Sequence, residues 1–375
     1  MRPAPIQFAG LRRVCRAGGH EQSTGSTHPS SANQDWRTDA LQLHGKCFGY
    51  GMNIARVRWI TSLWESCMLT RRNLLAAAAL ATPALVAKTS IGQTLRKVKL
   101  GTAFTTTTNA MFLMPDLLKQ EGIDAEIITF PSLVQRMQAV ASGSVDVGNG
   151  GLSATMQIAT KGFPMAVLAD GCDGGWMLVA KPSITSFAEL AGKKIAVQNG
   201  SIGLVSLNWK LQHEGLTDKV EILFLDNQDM PVPLARGDVD AICCFEPYAT
   251  FAELNGFGKK LWVPYDTPMG KTNLGFVASI PFIKKEPALT KLLVQAHVKA
   301  TNTMRDNPKI AIETTIKQFN MSREVAEASA KNLFFSADSG AGFQDGLKAL
   351  AGMMLTNKML DSEPKWDEFI NTSFI

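Results

Sequence analysis

Two stretches decide the fold: Ala141-Ser142-Gly143-Ser144-Val145-Asp146 and Ala235-Arg236-Gly237-Asp238-Val239-Asp240. Each reads as the end of a helix, a glycine able to take the left-handed C-cap conformation, and a short strand entered through Val-Asp. Two unrelated helix–strand junctions would also produce such a match. The surrounding pattern argues for a shared layout, because each stretch lies inside a run of alternating strands and helices with short connections.

Working outward from the first, the apolar periodicity predicts strands over 98–104, 125–130, 145–148 and 165–170. Helices are predicted over 109–120, 132–142 and 152–160. Ser132 after Pro131 is a start signal, and Pro115 moves the first helix later or kinks it. Around the second stretch, strands are predicted over 176–180, 194–198, 220–225, 239–243, 260–263 and 274–280. Helices are predicted over 187–190, 202–213, 231–236 and 247–254. Beyond Ile280 the pattern is helical to the end of the chain.

Composition excludes several classes. The 375 residues are 45% hydrophobic and 19% charged, which suits a globular protein. The formal charge of +5 is uneven: residues 1–87 hold ten Lys/Arg and four Asp/Glu, leaving 28 basic and 29 acidic residues from Lys88 onward. The folded part therefore carries no basic footprint for nucleic acid. Of six cysteines, only Cys172, Cys243 and Cys244 lie in the body, too few for a disulfide framework. Its two histidines, His213 and His297, have no metal-ligand spacing, and no cofactor is expected.

Met68 opens a stretch with paired Arg71-Arg72, an apolar run from Leu74, and a small-residue ending at Ala87. That run is shorter than the ~20 residues that span a bilayer, so 68–87 reads as a signal peptide. Thr70-Arg71-Arg72-Asn73-Leu74-Leu75 fits a twin-arginine signal; an ordinary secretory signal is the alternative. Residues 1–67 read as a disordered extension or an over-long start, with Met68 as the initiator. The expected location is periplasmic.

In a parallel sheet, ligands bind beyond the carboxyl ends of the strands. That places Thr106, Thr107 and Asn109 in a first candidate loop. Asn149, Gly150 and Ser153 form a second, and Asn199 and Ser201 a third, where glycines permit close approach and helix starts offer N–H donors. Gln228, and the pair Glu246 and Tyr248, supply two more. Trp176 offers a flat wall near Asp170. On this reading the cleft is acidic and poor in Arg and Lys, which favours a zwitterion or an amino-bearing ring over nitrate.

Four stretches together resemble the nitrate/sulfonate/taurine class of ABC-transporter substrate-binding proteins. They are Met137–Asp146; Glu189–Val197 with Gly200-Ser201; Leu234–Asp240; and Glu246-Pro247-Tyr248. The resemblance implies an α/β periplasmic binding protein of type II. Two lobes, each with a central, mostly parallel sheet flanked by helices, would close on a small-molecule ligand, with a helical C-terminal tail. Lobe 1 would comprise 88–180 and 274–375, and lobe 2 residues 181–273. It further implies a monomer that delivers a small polar solute, sulfonate- or taurine-like or an amino-heterocycle, to the permease of an ABC importer, without catalysis. An enzyme of the same fold making the thiamine pyrimidine is the rival, faintly suggested by Cys243-Cys244-Phe245.

Overall fold

The structure, a computed structural model, describes residues 95–375; the expected signal peptide and the segment before it lie outside the described residues. The chain begins β1 (Arg96–Thr102), a 3-10 helix (Thr106–Leu113), α1 (Met114–Gln120), β2 (Ile123–Thr129), α2 (Leu133–Ala141), β3 (Val147–Gly151), α3 (Leu152–Thr160) and β4 (Met165–Gly174). It continues β5 (Trp176–Ala180), β6 (Lys194–Val197), α4 (Ile202–His213), β7 (Glu221–Phe224), α5 (Pro231–Arg236), β8 (Ala241–Phe245), α6 (Tyr248–Leu254) and β9 (Lys259–Trp262). It closes with β10 (Leu274–Ser279), α7 (Ile280–Lys285), α8 (Pro287–Asp306), α9 (Pro308–Phe319), α10 (Arg323–Ala330), β11 (Leu333–Phe335), α11 (Ala341–Thr356) and α12 (Trp366–Phe369).

The strands form two sheets, ordered β11-β4-β10-β3-β1-β2 and β7-β6-β8-β5-β9. Read from β2 and from β7, the two orders match over five strands: three parallel strands, one antiparallel strand, then a further strand, after which the first sheet alone carries β11. β1 lies parallel to β2 and β3, and β6 parallel to β7 and β8. The antiparallel strand is β10 in the first sheet and β5 in the second. Each sheet is mixed but mostly parallel, as expected: four strands of each run one way, and β10 and β5, the strands entered from the lobe crossings, run against them. The chain passes between the sheets at Gly174-Gly175, with φ of 68° and 81°, and again over 263–273. Trp176–Ala180 pairs within the second sheet, so the first crossing precedes Trp176. The tail also differs from an all-helical one, since β11 extends the first sheet. It is a three-residue strand (Leu-Phe-Phe), too short for periodicity to reveal.

The sequence echo has a physical basis. Gly143 and Gly237 take φ of 75° and 84°, and Val145 and Val239 are buried. Asp146 Oδ2 accepts from the Lys99 amide at 2.7 Å, and Asp240 Oδ2 accepts from the Lys194 amide at 3.0 Å. Lys99 is on β1 and Lys194 on β6, so in each lobe the same carboxylate pins the helix–strand turn to the opening strand. Asp240 also pairs with Lys181 at 2.7 Å. Asp240→Ala is expected to cost about 1–2 kcal/mol, read as a lower urea midpoint with an unchanged m-value.

Candidate functional site

Between the lobes lies a narrow cleft open to solvent. Lobe 1 supplies Phe104, Thr105, Thr107, Leu133, Arg136, Gly151, Asn273 and Leu274. Lobe 2 supplies Gln198, Ser201, Ile202, Asn227, Gln228 and Phe245. All sit at or beyond strand ends or on first helical turns, where the sheet rule places a ligand.

Arg136 is the singular member. Ser132 caps α2 by accepting from the Gln135 amide, and Leu133, Met137 and Val140 bury one face. Arg136 lies on that same face at helical spacing, so the helix drives its guanidinium inward. It is 3% exposed. Its Nε and Nη1 have no hydrogen-bond partner, and burial pushes its pKa down to about 9. No carboxylate is among the residues lining the cleft. An unpaired buried charge costs several kcal/mol, and an anion entering the cleft would offset that cost through charge-assisted bonds.

Around it, polar groups are held in fixed orientations. Ser201 caps α4, accepting from the Leu204 amide and donating to the Gln198 carbonyl at 2.7 Å. The amide-rich start of this 12-residue helix opens on the cleft. Gln198 donates to Asp226 and accepts from Asn227 at 3.0 Å, and Asn227 Oδ1 accepts from the Phe245 amide. Phe245 stacks on Trp176, ring centroids 5.9 Å apart. The site thus offers one cation, several fixed donors and an apolar wall.

Of the expected site residues, Thr107, Ser201 and Gln228 line this cleft. Ser153 does not line it; its hydroxyl donates to the Gly200 carbonyl of lobe 2 at 2.7 Å. The others are engaged elsewhere. Thr106 gives its amide to the Glu246 carbonyl. Asn109 donates to Ala311 and Thr315, fastening the 3-10 helix to α9. Asn149 and Gly150 belong to β3 rather than a loop; Asn149 donates to Thr102, and a Cβ at Gly150 would meet three side chains at 2.8–2.9 Å. Trp176 is fully buried and donates to Ser206. Asn199 is exposed, and Tyr248 packs half-buried behind β8.

The two expected carboxylates sit away from the lining. Asp170 accepts from the Gly171 amide at 2.7 Å, and burial with nearby Asp173 raises its pKa. Glu246 is fully buried; it accepts from Thr250 Oγ1 at 2.7 Å, the Thr250 amide at 3.1 Å and Asn332 Nδ2 at 2.6 Å, and burial pushes it to about 7. The cleft is therefore cationic, not acidic, which reverses the charge expected from sequence. Arg136, Gln198 and Asn273 were missed, while Asn227 lies in the expected loop 226–229. The detectable signal for Arg136 was an arginine in the apolar stripe of an amphipathic helix. Among the described residues, no group of three His, Cys, Asp or Glu is placed to hold a metal ion.

Two lobes of matching strand order around one cleft give the fold of type II periplasmic binding proteins. Residues 116–311 match the family model described as NMT1/THI5 like, and the chain belongs to that family. It is 28% identical over 198 residues to the taurine-binding periplasmic protein of Escherichia coli, covering 51% of this chain and 61% of that one. It is 25% identical over 219 residues to a binding protein of Brucella abortus, covering 58% of this chain and 68% of the relative. The alkanesulfonate-binding protein of Xanthomonas axonopodis pv. citri, solved bound to MOPS, shares the fold with a TM-score of 0.66 at 18% identity, covering 73% of this chain and 97% of that one. Its named relatives are binding proteins.

Proposed function

We propose that the chain serves in the periplasm as the solute receptor of an ABC importer, and that it captures a small organic anion of the sulfonate type by closing its lobes. The observation that carries this reading is the buried, unpartnered Arg136 guanidinium facing the interlobe cleft. Thr107, Gln228 and the start of α4 would hold the remaining oxygens. Phe104, Phe245 and Leu274 would cover an apolar body. The lack of a lining carboxylate favours such an anion over an amino-heterocycle. Contacts made to both lobes at once exist only when they are shut, so the solute would favour closure and recognition by the permease.

The enzyme alternative would need reactive thiols. Cys243 and Cys244 are fully buried, with burial raising both pKa values and their sulfurs directed at the Gly203 and Asn227 carbonyls. The test is a thermal-shift panel on the full chain with MOPS, butanesulfonate, taurine, nitrate and an aminopyrimidine. Saturation at one hundred times Kd raises stability by about 2.7 kcal/mol. A shift with the sulfonates and none with the aminopyrimidine is expected; the opposite pattern would refute the anion reading.

A further inference from the structure

Several hydrogen bonds join the lobes directly, among them Gln198 Nε2 to the Pro131 carbonyl at 3.1 Å, the Thr106 amide to the Glu246 carbonyl at 2.9 Å, and one from a fully buried serine hydroxyl beside the cleft. Ser153 is in the first turn of α3 in lobe 1, is fully buried, and donates through Oγ to the Gly200 carbonyl of lobe 2 at 2.7 Å. Gly200 immediately precedes Ser201, the cap of α4. Its φ of +71° and the 3.2 Å that would separate an added Cβ from Val134 Cγ2 of lobe 1 require glycine there. The backbone of one lobe is thus brought against helices of the other, two residues from cleft-lining Gly151 and one from Ser201.

We propose that Ser153 is a closure latch: its hydroxyl fastens the lobes over the cleft and sets how readily they part. Parting the lobes breaks this bond and lets water reach both groups, so the bond stabilises the shut form alone. Removing the hydroxyl leaves the Gly200 carbonyl unpaired only when the lobes are shut. The inference rests on the lobes opening and closing and is independent of which solute is held. It also explains why a serine at a strand–helix junction, a natural ligand contact by position, is directed at protein instead.

The test is hydrogen–deuterium exchange by mass spectrometry on the full chain without added solute, comparing wild type, Ser153→Ala and Thr155→Ala. Thr155 is a matched control, since its buried hydroxyl donates within lobe 1 to the Gly151 carbonyl at 3.0 Å. Peptides covering 103–110 and 198–205 report parting, because the Thr106 amide bonds across to Glu246 and the start of α4 faces lobe 1. In Ser153→Ala, exchange there should rise about three- to tenfold, with β1 and β6 unchanged and no such rise in Thr155→Ala. An unchanged rate, or a uniform rise matching the control, overturns the latch. If the wild-type reporter peptides exchange only as slowly as β1 and β6, the lobes do not part, and hinge closure falls together with the latch.

Discussion

Arg136→Met should sharply weaken anion capture while making the protein more stable. The guanidinium sits 3% exposed without a partner for Nε or Nη1, a standing cost that an apolar side chain of similar length removes. Its neighbours Leu133 and Met137 already form an apolar face, so methionine continues that surface. The melting temperature of the unliganded variant should rise. Removing one partner of a buried charge-assisted contact typically costs 2–5 kcal/mol, which places the loss of affinity for a bound sulfonate at roughly 30- to 4,000-fold. Arg136→Lys should also bind weakly, because a point ammonium lacks the planar fork that meets two oxygens at once. Isothermal titration with the sulfonate identified in the panel, alongside calorimetric melting, reads both effects. Unchanged affinity in Arg136→Met would remove the arginine from the site.

Stability should fall as pH rises from 6.5 to 8.5. Burial raises Glu246 to about 7 and raises Asp170 and Asp173, with the neighbouring Asp173 charge raising Asp170 further. A carboxyl whose pKa is higher folded than unfolded contributes most below its unfolded value, and that contribution is lost as pH climbs through the folded value. His297 acts in the opposite direction: burial lowers it to about 4, so its contribution is lost as pH falls below 6.5. Above pH 6.5 the carboxylates therefore dominate, and the loss is on the order of 2 kcal/mol, or roughly 5 °C in Tm for a chain this size. Asp170→Asn should flatten most of the slope, since an amide oxygen can still accept from the Gly171 amide. Calorimetric scans at pH 6.5, 7.5 and 8.5 decide it; a wild-type Tm that is level or rising across that range is incompatible with these buried acids.

Much of the fold was legible in the sequence because it is built from local signals. The Gly143 and Gly237 turns, the Ser132 and Ser201 caps and the helix start at Pro115 all follow from single residues and their spacing. Sheet membership was less legible. Trp176–Ala180 reads as a strand, yet nothing local says that it pairs with β8 and β9 rather than with its predecessor β4. Side-chain direction was the least legible. Asn109 sits in the expected loop region, but its amide turns toward α9, an element about 200 residues away in sequence. β3 begins two residues later than its apolar pattern suggests and runs through Asn149 and Gly150, which removes them from the loop that had made them candidates. Conversely, Arg136 lies at the end of the first turn of α2, outside every strand-end loop, and enters the cleft only because α2 turns that face inward.

The matching strand orders also bear on how the chain is made. Every strand of the second sheet is contiguous in sequence, from Trp176 to Trp262, so that lobe can complete its pairing as soon as this stretch has left the ribosome. The first sheet cannot: β3 and β4 do not pair with each other and are joined through β10, the stretch Leu274–Ser279. Although translated first, it is finished last, with two unpaired edges waiting on a segment made more than a hundred residues later.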